Sequence, residues 1–142
     1  MVTTTQGWSP VLALQRATHA TLHSLSETLA DLSLTASEIN ALANMADGDA
    51  RMVSQLAAAA GTRPTTMTSV LDRLERRGLI SRRAMPGDRR AVQVRLTASG
   101  RAAAAAVATA ISALELAALA DLPPAAIASL RAGLTALAEA SS

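Results

Sequence analysis

Residues 53–78 read VSQLAAAAGTRPTTMTSVLDRLERRG. Two helix patterns stand only three residues apart, so the chain must turn sharply at Gly61-Thr62-Arg63. Gly61 ends the first helix. Pro64 suits the first turn of the second, where its missing N–H is not needed. Met67, Val70, Leu71 and Leu74 recur at steps of three and four and give the second helix one apolar stripe. Ala57 is small where the two helices must approach. Two short helices joined by a tight turn containing Gly predict a helix-turn-helix.

The flanks extend this reading. Val11, Leu14, Thr18, Leu22, Leu25, Leu29 and Leu32 mark a long amphipathic helix after a polar segment at residues 1–9. LTASEI at 34–39 is a helix start. Thr35 can cap, Glu38 can close a capping box, and Leu34 can staple onto Ile39. That helix is expected to run to about Ala46, before Asp47-Gly48-Asp49. After Gly78, residues 79–84 read as a strand, 85–88 as a turn and 91–96 as the return strand. Val92, Val94 and Leu96 alternate with Gln93 and Arg95 there. Thr97 then caps an Ala-rich helix, and Pro123-Pro124 leads into a last one carrying Ile127, Leu130, Leu134 and Leu137. The first and the last two helices have leucine stripes with no evident mate, which predicts packing against the same helices of a second copy.

Composition supports a shared core. Of the 142 residues 34 are alanine, with one Trp and no Phe or Tyr. Alanine buries little area, so a monomer has a thin apolar interior. The absence of cysteine excludes disulfides, thiolate zinc sites and thiol redox sensing. No signal peptide is seen in MVTTTQGWSP. The Ala-rich run after residue 101 reads as too weakly hydrophobic and too interrupted for a membrane span. A cytoplasmic protein with no membrane partner is the expectation.

Charge is unevenly placed. Between Arg63 and Arg101 there are ten arginines against Asp72, Glu75 and Asp88, a surplus of seven. The rest of the chain has three arginines and eight acids. A cationic segment in an otherwise acidic chain points to an anionic partner, nucleic acid first.

Taken together, LTASEINALANMA, VSQLAAAAGTRPTTMTSVLDRLERRGLISRR and PGDRRAVQVRLTASG resemble the MarR family of bacterial winged-helix regulators (multiple antibiotic resistance regulators). The resemblance is continuous over residues 34–101. It implies a mainly α fold with a small β-hairpin wing, in which a winged helix-turn-helix lobe at 34–97 joins a helical dimerisation region at 10–33 and 98–142. It implies a homodimer gripping pseudo-palindromic double-stranded DNA, in most members as a repressor. In many, a small phenolic or anionic ligand entering a cleft between dimer region and lobe releases the DNA.

Carried onto this chain, the helix from Pro64 enters the major groove, which displays a full donor and acceptor code. Its outward residues are Arg63, Thr65, Thr66, Thr68, Ser69, Asp72 and Arg73. Those near the helix start go deepest. Many members have Arg where this chain has Ser69, so their operators do not transfer. Arg73 and Arg76 either touch phosphate or pair with Asp72 and Glu75. In the wing, the family pattern has Asp88 orient an arginine while Arg90, or its neighbour Arg89, reaches a narrow minor groove. A planar, weakly hydrated guanidinium suits that place. Arg82 and Arg83, at the base of the wing, would contact the DNA backbone.

His19 and His23 stand four apart on the first helix, a spacing that can hold zinc, but no third ligand is signalled. A ligand-binding role is the alternative, with Arg16 beside them; ordinary helix packing or interface hydrogen bonding is the plainer reading. Trp8 reads as an anchor across a dimer, with stacking on a ligand as the alternative. No cofactor, and no set of residues for enzymatic chemistry, is evident. The rival function is a winged-helix protein-interaction module without a DNA role, against which the charged wing tip argues.

Overall fold

The computed structural model describes residues 9–141; Trp8 lies outside them. Helix α1 spans Pro10–Thr28, with the Ser9 Oγ accepting the Leu12 N–H at 3.2 Å. A 3-10 turn at Ala30–Leu32 ends at Ser33, which is left-handed at φ 49°. Helix α2 spans Ala36–Ala43, and its capping box is complete. Thr35 Oγ1 accepts the Glu38 N–H at 3.2 Å, and Glu38 Oε1 accepts the Thr35 N–H at 3.0 Å. The helix stops three residues short of the expected Ala46. The Asn44 side chain donates back to the Asn40 carbonyl at 2.9 Å, and the next amides close i→i−3 bonds that tighten into a turn.

Strand β1 is Arg51–Met52, α3 is Val53–Ala60 and α4 is Pro64–Arg76. Strands β2 (Ile80–Met85) and β3 (Asp88–Leu96) form the hairpin, followed by α5 (Ala98–Leu119) and α6 (Pro124–Ala140). The sheet is antiparallel in the order β1-β3-β2. The sequence analysis did not anticipate β1, because two residues are too few to show alternation. Arg51 pairs with Asp47 on the preceding turn and so fixes the strand's entry.

One core joins these elements. Leu25 and Leu29 of α1, Ile39 and Leu42 of α2, Leu56 of α3, and the full α4 stripe Met67, Val70, Leu71 and Leu74 meet in it. Ile80, Val94 and Leu96 cover it from the sheet, and Ala103, Ala104, Val107 and Ala110 from the first half of α5. Each fully buried leucine contributes about 1.5–3 kcal/mol.

Beyond Leu114 the end of α5, and all of α6, lie outside that core. Helix α6 has no buried residue, and Leu116 is 75% exposed. Val11, Leu12, Leu122, Leu130 and Leu134 are also exposed. By length and composition alone α5 is long and apolar enough to cross a membrane, with 22 residues and an 18-residue window of mean hydropathy 1.8. This corrects the reading that no stretch qualified: unbroken helix makes one span of what read as interrupted sequence. The first half of the helix is nevertheless committed to the protein core.

Candidate nucleic-acid interface

Helix α4 presents its polar face because its apolar stripe is sealed in the core. Thr65, Thr66, Thr68, Ser69 and Arg73 are exposed on it, with Arg63 at the N-cap. No side chain caps this N-terminus. First-turn N–H groups and the helix dipole at such an end favour an anion. Thr68 Oγ1 donates to the Pro64 carbonyl at 2.9 Å, and Ser69 Oγ to the Thr65 carbonyl at 3.4 Å. Their hydroxyl protons are thus engaged on the helix, leaving oxygen lone pairs facing outward.

The wing turns at Pro86-Gly87, where Gly87 takes φ 82°, a conformation only glycine adopts readily. Just beyond the turn the ladder slips. Ala84 pairs with Val92, yet the next residue, Met85, pairs with Asp88. Arg89, Arg90 and Ala91 therefore have no opposite residue on β2 and bulge out. Bulges of this kind re-aim side chains. Asp88 Oδ1 accepts the Arg90 backbone N–H at 3.0 Å and steadies the bulge. Asp88 thus acts on the main chain of Arg90, and no ion pair to a guanidinium joins it among the described residues.

The two acids on α4 find a partner that the sequence analysis assigned elsewhere. Arg82 of β2 reaches Asp72 at 2.6 Å and Glu75 at 2.9 Å, and its N–H donates to Glu75 Oε2 at 3.1 Å. Arg73 and Arg76 do not pair with these acids through their side chains; Arg76 Nε reaches only the Asp72 carbonyl oxygen, at 3.4 Å. The reason is lateral: β2 runs alongside that flank of α4. The hydrogen bond from Arg82 holds the Glu75 carboxyl below the usual glutamate range. Arg82 is thereby a brace between helix and wing, while its neighbour Arg83 is exposed on the strand.

Sequence reasoning missed Arg77. Its guanidinium donates to the Ser33 carbonyl at 3.0 Å and to the Leu32 carbonyl, and stands 3.5 Å from the buried Glu38 carboxylate. The only available signal was the second arginine before Gly78, which reads equally well as surface charge. Nearby, a cavity of about 300 Å³ is lined by Leu32, Leu34, Arg77, Leu79, Ser99, Ala102 and Ala103. Arg16, His19 and His23 are exposed on α1 and are not among the residues lining this cavity. His23 lies 3.4 Å from Glu27 on the same helix.

Residues 34–92 match the model of the MarR family. No curated protein matches the sequence. Among solved structures, the MarR family transcriptional regulator SPO1453 from Silicibacter pomeroyi DSS-3 is 32% identical. That alignment covers 92% of this chain and 96% of that one at a TM-score of 0.75. CouR from Rhodococcus jostii RHA1, solved bound to p-coumaroyl-CoA, shares the fold at 22% identity and a TM-score of 0.81, over 93% of each chain. MepR from S. aureus, solved as a DNA complex, shares it at 20% identity and a TM-score of 0.80, over 95% of this chain and 99% of that one. A winged helix-turn-helix with a three-stranded wing, matched to the family model through its basic segment and to a family member along nearly its whole length, places this chain in the MarR family of transcriptional regulators.

Proposed function

We propose that the chain is a homodimeric, sequence-specific DNA-binding repressor that a small ligand releases from its operator. In this reading residues 34–97 form the DNA lobe, while 10–33 and 98–142 form the dimerisation region. One observation carries it. Arg63, Arg73, Arg83, Arg89 and Arg90 are exposed, and among the described residues none of them makes a side-chain hydrogen bond or ion pair. Five permanent positive charges without an internal counter-charge call for an external one, and a polyphosphate duplex supplies it. Thr65, Thr66, Thr68 and Ser69 then read base edges or nearby phosphate from α4, while Arg89 and Arg90 enter the minor groove from the bulge, with Asp88 holding its backbone. The DNA-bound state of MepR supports this use of the fold.

The exposed leucines of α5 and α6 support the dimer, because a solvated apolar face of that extent favours a partner. The cavity lined by Arg77 supports an anionic, partly apolar ligand, as does the acyl-CoA carried by CouR. Arg16, His19 and His23, exposed together on α1, remain candidates for contacting such a ligand where the cleft meets the dimer region. A repressor of this kind works in the cytoplasm, beside the chromosome.

The test is fluorescence anisotropy on duplexes selected from a random library, across a salt series, with Arg90→Ala alongside. The expected result is saturable binding whose logarithm falls steeply and linearly with log salt, weakened about tenfold or more in the variant. Selected duplexes bound no tighter than random DNA would assign the wing to a protein partner instead.

A further inference from the structure

Two stretches of chain connect the lobe to the helices proposed to dimerise: the exit of α1 at Leu32-Ser33 and the entry of α5 at Thr97–Gly100. Both are gripped by one tripeptide, Arg77-Gly78-Leu79, at the C-terminal end of α4. The Thr97 N–H donates to the Leu79 carbonyl at 3.0 Å, and Thr97 Oγ1 donates to the Gly78 carbonyl at 2.6 Å. Gly100 packs directly on the Leu79 backbone. These grips on α5 combine a main-chain hydrogen bond, the Thr97 hydroxyl and close packing. The grip on α1 is made by one side chain, the guanidinium of Arg77, across 44 residues of sequence. It holds two successive carbonyls at a left-handed serine, a conformation that is strained for a non-glycine residue and persists only where surroundings enforce it.

Glu38 completes the arrangement. It is 3% exposed, its Oε1 closes the cap of α2, and its Oε2 has no hydrogen-bond partner, so Arg77 at 3.5 Å supplies its counter-charge. A buried carboxylate without compensation is strongly unfavourable. The Glu38 charge therefore keeps the guanidinium in place, and the guanidinium keeps the α1 exit in place. The cavity lined by Leu32, Leu34, Leu79 and Ser99 lies between the two connections, so packing alone does not fill the space there.

We propose that Arg77 is a positioning residue that sets the angle of each recognition helix against the dimer helices, and thereby the half-site spacing the dimer accepts. This rests on the dimeric, DNA-binding reading above. Arg77 need not touch DNA for this role: it acts through the backbone of Leu32 and Ser33. A forked guanidinium can serve two carbonyls and a carboxylate at once, which a lysine ammonium on a flexible stem cannot do in one fixed geometry.

The chain has no cysteine, so one spin label per protomer can be placed cleanly at the exposed Ser54 on α3 through Ser54→Cys. Pulsed dipolar spectroscopy then reads the distance between the two lobes without DNA. The expected result is one narrow distance peak in the otherwise unaltered protein, at least twice as broad in Arg77→Gln and broadened in Arg77→Lys. The lysine variant is decisive, because it keeps a counter-charge for Glu38 and so preserves the fold. In parallel, duplexes with half-sites moved apart by one or two base pairs should be discriminated at least tenfold by the unaltered chain and less than threefold by Arg77→Lys. A purely structural Arg77 would weaken every duplex equally and leave the peak width unchanged, which overturns the proposal alone. No dipolar signal in the singly labelled parent overturns the dimeric reading, and the proposal with it.

Discussion

A methyl group at position 100 would meet the Leu79 carbonyl oxygen at 1.8 Å, well inside contact distance, and the obstacle is backbone that cannot rotate away. Gly100→Ala should therefore lower stability by about 2 kcal/mol or more, measured by urea unfolding. A midpoint equal to that of the parent would show that α5 can shift without penalty. Glu75 makes a second prediction at this scale. Arg82 lowers its folded pKa, so the pair contributes stability fully above the unfolded glutamate value of about 4.3. That contribution fades as the pH falls through the lower folded value. The stability gap between the parent and Glu75→Gln should thus be present at pH 7 and close in strong acid. A gap that does not change with pH would mean that the charge of Glu75 is irrelevant. Of these two residues, LTASG in the sequence pointed to a capped helix but not to the contact at Gly100. The contact depends on Leu79, twenty-one positions away, and only folding brings the two together.

Recognition helix and wing are braced to each other by Arg82. Asp72 and Glu75 sit three apart on α4 and so share one flank, which β2 runs along. Local pairing rules favoured Arg73 and Arg76 as their partners. The tertiary arrangement offered a better-placed arginine on a strand whose backbone N–H also points at Glu75. Arg82→Ala should loosen the wing, seen as faster amide exchange in β2 and β3, and weaken DNA binding about three- to tenfold. Arg83→Ala should leave exchange unchanged and reduce the slope of log affinity against log salt by about one, as one lost phosphate contact would. Equal exchange in both variants would refute the brace. The bulge at Arg89-Arg90-Ala91 belongs to the same scale. The sequence showed two strands and a Pro-Gly turn, but not the slip in register, because alternation holds only from Val92 onward.

The whole molecule is lopsided, with a filled core under the helix-turn-helix and wing and an unburied helix at the far end. Leu130→Glu with Leu134→Glu, on the exposed face of α6, should convert a dimer into monomers in sedimentation equilibrium. The double variant should also lose most high-affinity DNA binding, because each lobe would then bind alone. A variant still dimeric at micromolar concentration would place the interface elsewhere. Salt should act on binding far more than on assembly, since charge concentrates on the lobe and apolar area on α5 and α6.

By itself the sequence determined the family and the longer elements, though not the two-residue β1 or the 3-10 turn after α1. Capping residues, turn residues and apolar steps of three and four act between near neighbours, and their effect does not wait for the rest of the chain. The cationic segment was legible for the same reason, since charge is additive along a sequence. Only the tertiary structure decided which arginines are committed inside the protein and which face outward. Arg77 and Arg82 lie within the same run of arginines as Arg73, Arg76 and Arg83, and nothing local separates them. Their partners, the Leu32 and Ser33 carbonyls and Glu38 for one, Asp72 and Glu75 for the other, come within reach only when helices and strand have packed. Whether a charge is internally neutralised depends on distances in space, which spacing along the chain does not specify.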